Sequence, residues 1–234
     1  MARLPILMYH NVTRENKKVE RLTIHQDFLE EQFKYLAERK YQTHHLSELE
    51  EKGALSGKNV VITFDDVTVN QMLYAVPLLE KYQLKATFFI PFFYIDGVDG
   101  WNEGKEAIMS IQQLRDLPDL IELGHHSYKH RAYANLSNEE LKEDFDNCYS
   151  IVSSNDLKVF PAVAYPYGNF PKKEPRKSAF FNELKKNKVT YGLRIGNKVN
   201  TFPFQNPYEI QRLDIRGNES MFKFKLKLRF GKLF

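Results

Sequence analysis

The sequence predicts an α/β barrel of about seven parallel strands, and three observations predict it. First, β-rich apolar runs alternate with helical patterns along most of the 234 residues, as parallel strands joined by helices require. Second, runs such as "NVVITF" and "KATFFIP" are continuously apolar, which suits strands buried on both faces. Third, seven or eight such runs in one chain favour a barrel over an open sheet. A hydrophobic content of 42% supports one sizeable core and one domain.

The elements follow in order. "PILMYH" reads as the first strand. "DFLEEQFKYLAERK" sets Phe28, Leu29, Phe33 and Leu36 on one helical face. "YQTHHL" is a short strand, followed by the small helix "SELEEK". "NVVITF" is a strand, and "NQMLYAVPLLEKYQ" a helix that Pro77 must kink or delay. "KATFFIP" is a strand, followed by a long connection holding Gly97, Gly100, Trp101 and Gly104. "SIQQLRDL" is a short helix and "LIELGHH" a strand end. Ser137 and Glu140 form a capping box that opens a helix with Leu141, Phe145, Cys148 and Val152 on its apolar face. "KVFPAVAYPYG" is a strand ending in a Pro/Gly turn, and "AFFNELKKNK", "VTYGLRI" and "EIQRLDI" add a helix and two strands.

Charge and cysteine content narrow the function classes. Net charge is +4, yet Lys223, Lys225, Lys227, Arg229 and Lys232 place +5 on residues 221–234, leaving −1 on the body. A nucleic-acid footprint over a folded face is therefore not indicated. The division expected is a domain over residues 1–220 and a basic amphipathic tail over residues 221–234. That tail packs on the barrel or meets an anionic membrane surface or glycan. No window reaches the length of a membrane span, and no signal peptide is read. The lone Cys148 fits a reducing compartment, so a cytoplasmic location is expected, at the inner membrane surface if the tail engages lipid.

Chemistry-bearing residues cluster at strand ends. "VVITF" runs into Asp65 and Asp66, two carboxylates that need a cation or donors to coexist at a buried end. A turn capped by both side chains is the plain alternative. In "HHSYKH", His126 and His130 share one face if the segment coils into a helical turn, and can then meet one ion. His125 points elsewhere. One Asp and two His make a three-ligand set with open positions, and the second carboxylate remains for general-base work.

"TFDD", "HSYKH" and "YPYG", each after a strand and in this order, resemble the motifs of the polysaccharide deacetylase (NodB-homology) family, carbohydrate esterase family 4. The resemblance covers about residues 5 to 216. It implies a distorted (β/α) barrel and metal-assisted removal of acetyl groups from sugars. It makes Asp65 the base, Asp66, His126 and His130 the metal ligands, and the Tyr167 backbone N–H an oxyanion donor. The ion expected is one divalent metal, zinc, with cobalt or nickel able to substitute.

Three positions depart from the common pattern. The family places its acid histidine near the C-terminus, but no histidine follows His130. Ala164 stands where many members carry an arginine that tethers the base, and Val67 follows "TFDD" where Gly is usual. Valine there is expected to forbid positive φ. "LMYHNV" and the "AYPYG" run resemble the circularly permuted deacetylases of exopolysaccharides such as poly-β-1,6-N-acetylglucosamine, which makes His10 the acid. Arg212, on a late strand, is the tether candidate, with Arg194 the alternative. The function expected is N-deacetylation of a glycan or lipid-linked sugar in polysaccharide or cell-envelope biosynthesis. The rivals are a carbohydrate O-acetyl esterase and a glycan-binding barrel without turnover.

Overall fold

The computed structural model describes residues 1–231. Its centre is a closed ring of seven parallel strands: β1 (Ile6–Tyr9), β2 (Asn59–Asp65), β3 (Ala86–Ile90), β4 (Ile121–His125), β5 (Val159–Ala164), β6 (Tyr191–Ile195) and β7 (Ile210–Asp214). They follow one another round the ring in chain order. β7 closes on β1 through Leu213 opposite Leu7 and Asp214 opposite Met8. A register shift between Leu123 and His125 distorts the β4–β5 seam. Because every strand is parallel, all carboxyl ends emerge on one face, where barrels of this kind carry their chemistry.

Alternation along the strands builds two packed layers. Ile6, Val61, Phe89, Ala162, Ala164, Leu193 and Ile210 pack together in one cluster. Their neighbours Leu7, Val60, Ile62, Phe64 and Phe88 pack instead against helical residues such as Leu29, Phe33 and Leu79. The helices are α1 (Gln26–Glu38), α2 (Leu46–Glu50), α3 (Val69–Tyr74), α4 (Val76–Tyr82), α5 (Ile111–Arg115), α6 (Asn138–Ser154), α7 (Arg176–Lys186) and α8 (Met221–Phe230). Leu46 and Leu49 of α2 join the first cluster, and the Glu122 carboxylate accepts from the Leu46 and Ser47 N–H groups, each at 3.0 Å. Pro77 divides its segment as expected: α3 stops at Tyr74, and α4 carries Pro77 in its first turn, where no N–H is missed.

α8 begins the segment expected to be a tail. Phe224 and Leu228 are buried in the main core, and Phe224 meets Tyr35 of α1 edge to face at 6.3 Å. Two of its lysines are committed within the fold: Lys223 and Lys227 pair with Glu219 at 3.1 and 2.5 Å. Residues 232–234, and with them Lys232, lie outside the described residues. Among the described residues no helix is long and apolar enough to cross a membrane.

Candidate active site

The carboxyl ends of β1, β2, β4, β5 and β7 bring His10, Asp65, Asp66, His126, His130, Tyr167 and Arg212 to one end of the barrel. Asp65 is the last residue of β2 and is buried. Arg212, fully buried on β7, grips it with both terminal nitrogens: Nη1 donates to Oδ1 at 2.5 Å and Nη2 to Oδ2 at 2.7 Å. Burial pushes the Asp65 carboxyl up, but the charges of Arg212 and His126 and the Arg212 hydrogen bonds prevail and hold it well below the usual range. Arg194 does not take this place. It lies 3.9 Å from Glu209 and over the Phe170 ring.

Asp66 behaves differently. Its buried Oδ1 has no hydrogen-bond partner. It lies 3.6 Å from His126 Nε2 and 3.4 Å from His130 Nε2, too far for good hydrogen bonds. The other nitrogen of each ring is occupied. His126 Nδ1 pairs with the Ala164 carbonyl at 2.7 Å, and His130 Nδ1 with the Tyr167 hydroxyl at 3.2 Å. The Ala164 carbonyl can only accept, so His126 Nδ1 carries the proton and the His126 Nε2 lone pair faces Asp66; His130 Nε2 faces it as well. Burial lowers His126 to about 4 and, with the help of His126, lowers His130 to about 2, so both rings are neutral near pH 7. Burial, then the charges of Asp65 and Asp99, push Asp66 well up. An orphaned oxygen facing the Nε2 atoms of two neutral imidazoles, with all three ligand atoms within 4.8 Å, fits a divalent cation.

The local backbone differs from the sequence expectation at two points. The segment from His126 to His130 is not a helical turn. Ser127 and His130 have φ of 64° and 51°, and the rings converge because the loop folds back. Val67 does adopt positive φ, at 44°, directly after Asp66 at 80°. Valine is strained there, and tertiary structure holds it: its side chain is fully buried and its carbonyl accepts from Met109 N–H at 3.0 Å.

His10 Nε2 stands 3.7 Å from Asp65 Oδ2. Burial lowers its pKa, countered by Asp65. Tyr167 is half exposed, with φ of 59° in a turn that uses the N–H groups on its C-terminal side: Gly168 bonds Tyr165 O and Asn169 bonds Pro166 O.

Three further residues were not singled out from the sequence. Gln71 is buried on α3 and donates to the His10 and Asp65 carbonyls at 3.0 and 2.5 Å, tying β1 to β2. No sequence signal distinguishes it. Asp214 is buried at the end of β7 with Oδ1 unpartnered, and its charge raises His10. Its position at a strand end, like that of Asp65, was the available signal. Trp101 comes from the long β3–α5 connection and stacks on His130 at 4.1 Å.

A closed parallel barrel with paired carboxylates and two histidines at the strand ends defines a class of barrel enzymes whose chemistry lies at that face. Within it, the chain belongs to the polysaccharide deacetylase family, whose family model matches residues 52–186. It is 26% identical over 174 residues to YxkH of Bacillus subtilis, a relative named for polysaccharide deacetylase activity; the match covers 72% of this chain and 58% of that protein. It is 24% identical over 237 residues to the poly-beta-1,6-N-acetyl-D-glucosamine N-deacetylase of Staphylococcus aureus, covering 88% of this chain and 77% of that one. The deacetylase PplD of Streptococcus pyogenes shares the fold, with a TM-score of 0.80 at 18% identity over 97% of this chain and 98% of that one.

Proposed function

We propose that this protein is a metal-dependent hydrolase that removes N-acetyl groups from an amino-sugar glycan, as a polymer or on a lipid carrier. The name of the Staphylococcus aureus relative supports this substrate class. The observation that carries the reading is the division between adjacent carboxylates. Asp65 has both oxygens on Arg212, whereas Asp66 has a buried oxygen with no partner.

Asp66 Oδ1, His126 Nε2 and His130 Nε2 would hold the ion, and this N/N/O set suits zinc, with cobalt or nickel as substitutes. When bound, the ion supplies Lewis acidity toward the acetyl carbonyl and makes water more acidic. The protein supplies the rest. Asp65 is kept ionised by Arg212 and accepts a proton from the attacking water. Its low basicity is why the water must already be acidified. The Tyr167 backbone N–H is the donor for the oxyanion that forms on the acetyl carbon. His10 returns a proton to the sugar nitrogen as the C–N bond breaks, giving acetate and a free amine.

The test is acetate release from an N-acetylglucosamine oligomer by zinc-loaded protein. Release should stop with chelator and in the double variant His126→Ala, His130→Ala, which should also take up no zinc. Release that survives both treatments refutes the reading.

A further inference from the structure

We propose that Asp144, on α6, is a positioning residue that sets the loop carrying His126 and His130, a role that rests on the ligand assignment above. The loop has no regular structure to hold it, and two of its residues are left-handed. His126 is fixed twice, by its N–H on the Ile90 carbonyl at 2.9 Å and by its ring on Ala164. The Ser127 and Tyr128 carbonyls accept from Phe92 and Phe93 N–H at 3.2 and 2.9 Å. The Tyr128 N–H, halfway between the two histidines, goes to Asp144 Oδ2 at 2.9 Å.

Asp144 is an unusual residue for its place. It is buried among Leu141, Phe145 and Cys148 on the face of α6 that packs against the barrel. An apolar side chain would be the ordinary choice there, because a buried carboxylate is costly unless hydrogen-bonded. Among the described residues no cation pairs with it. Its partners are the Tyr128 N–H and the Tyr133 hydroxyl, which donates to Oδ1 at 3.3 Å. Burial raises its pKa to about 6, against the hydrogen bonds of Tyr128 and Tyr133, the nearby Lys129 N–H and the charge of Arg131. A charge kept at this cost, on a backbone N–H two residues from each ligand, acts as outer support for a metal-binding loop. His130 itself is held by stacking on Trp101 and by the Tyr167 hydroxyl on its Nδ1 at 3.2 Å, contacts to the ring and not to the loop backbone.

The experiment measures zinc affinity of the full chain by competition with a chelating dye. The emission of Trp101, the only tryptophan, gives a second readout because it stacks on His130. Far-UV circular dichroism checks the fold. Asp144→Leu removes both acceptors and should weaken zinc binding about 10- to 100-fold. Asp144→Asn keeps one neutral acceptor and should fall between Asp144→Leu and the parent. Folded variants that bind zinc within about two-fold of the parent overturn the proposal, even if they melt earlier, since that marks a purely structural role. Should Asp144→Leu fail to fold, Asp144→Asn alone decides by the same criterion. His130→Ala separates the two ideas. If it binds zinc like the parent, the ligand assignment fails and this inference with it. If it loses zinc while both Asp144 variants retain it, only this inference fails.

Discussion

Arg212→Met isolates what holds Asp65 in its ionised state. The pair is almost fully buried, at 0% and 3% side-chain exposure, and methionine retains the packing against Phe89 while removing the charge. Burial then acts on Asp65 without its main counterweight, and its folded-state pKa moves from below the usual range to above it. The sign follows. In the parent, Asp65 adds stability that is fully present above the unfolded pKa and is lost only at more acid pH. In the variant, Asp65 must be protonated to stay buried, and the penalty grows as pH rises above the unfolded value of ~3.9. A carboxyl kept neutral at pH 7 costs about 4 kcal/mol on this basis, and about 1.5 kcal/mol at pH 5. That agrees with the ~3–5 kcal/mol typical of breaking a buried ion pair. The assay is urea unfolding of parent and variant in chelator at both pH values. The stability gap should shrink by about 2.5 kcal/mol on going from pH 7 to pH 5. A gap that stays constant refutes the reasoning, because the loss would then come from packing and not from charge.

Three other outcomes are expected. Asp65→Asn should keep zinc and lose acetate release by about two or more orders of magnitude in a steady-state assay, and retained turnover would assign the base elsewhere. His10→Ala should spare zinc but depress amide cleavage far more than cleavage of an activated acetyl ester, whose leaving group needs no proton; equal losses would make His10 structural. At Val67, with φ of 44°, Gly should be more stable than Ala by about 1 kcal/mol in urea unfolding, reversing the usual order. Ala more stable than Gly would mean that the backbone there is unstrained.

The fold was legible where the signal is local. Continuous apolar runs gave the barrel strands, Ser137 with Glu140 gave the start of α6, and Pro77 gave the break between α3 and α4. The misreadings arose where tertiary contacts override local preference. His126 and His130 have helical spacing, yet their loop is held by Ile90, Phe92, Phe93 and Asp144, all outside it. Valine disfavours positive φ, yet burial of its side chain and the bond from Met109 fix Val67 there.

The site shows the same boundary more sharply. Asp65, Asp66, His126 and His130 were legible as candidates because two short motifs stand at or just past recognisable strands and in one order, and the fold brings Asp66, His126 and His130 within 4.8 Å of one another. Arg212 is the sequence's tether candidate and Arg194 its alternative, but both lie on late strands and nothing local to either separates them. The choice depends on register. β6 and β7 pair with Ile195 opposite Arg212, and Arg194 opposite Gln211. Side chains paired across a sheet share a face, and neighbours along a strand do not. Arg212 therefore shares the face of Ile195, and Arg194 takes the opposite one, where it meets Glu209 and Phe170. A one-residue slip between these strands would turn Arg212 out of the barrel and leave Asp65 buried without its counter-ion. The Arg212–Asp65 pair thus depends on a pairing distant in sequence, while the strain of a misregistered Asp65 disfavours the slip.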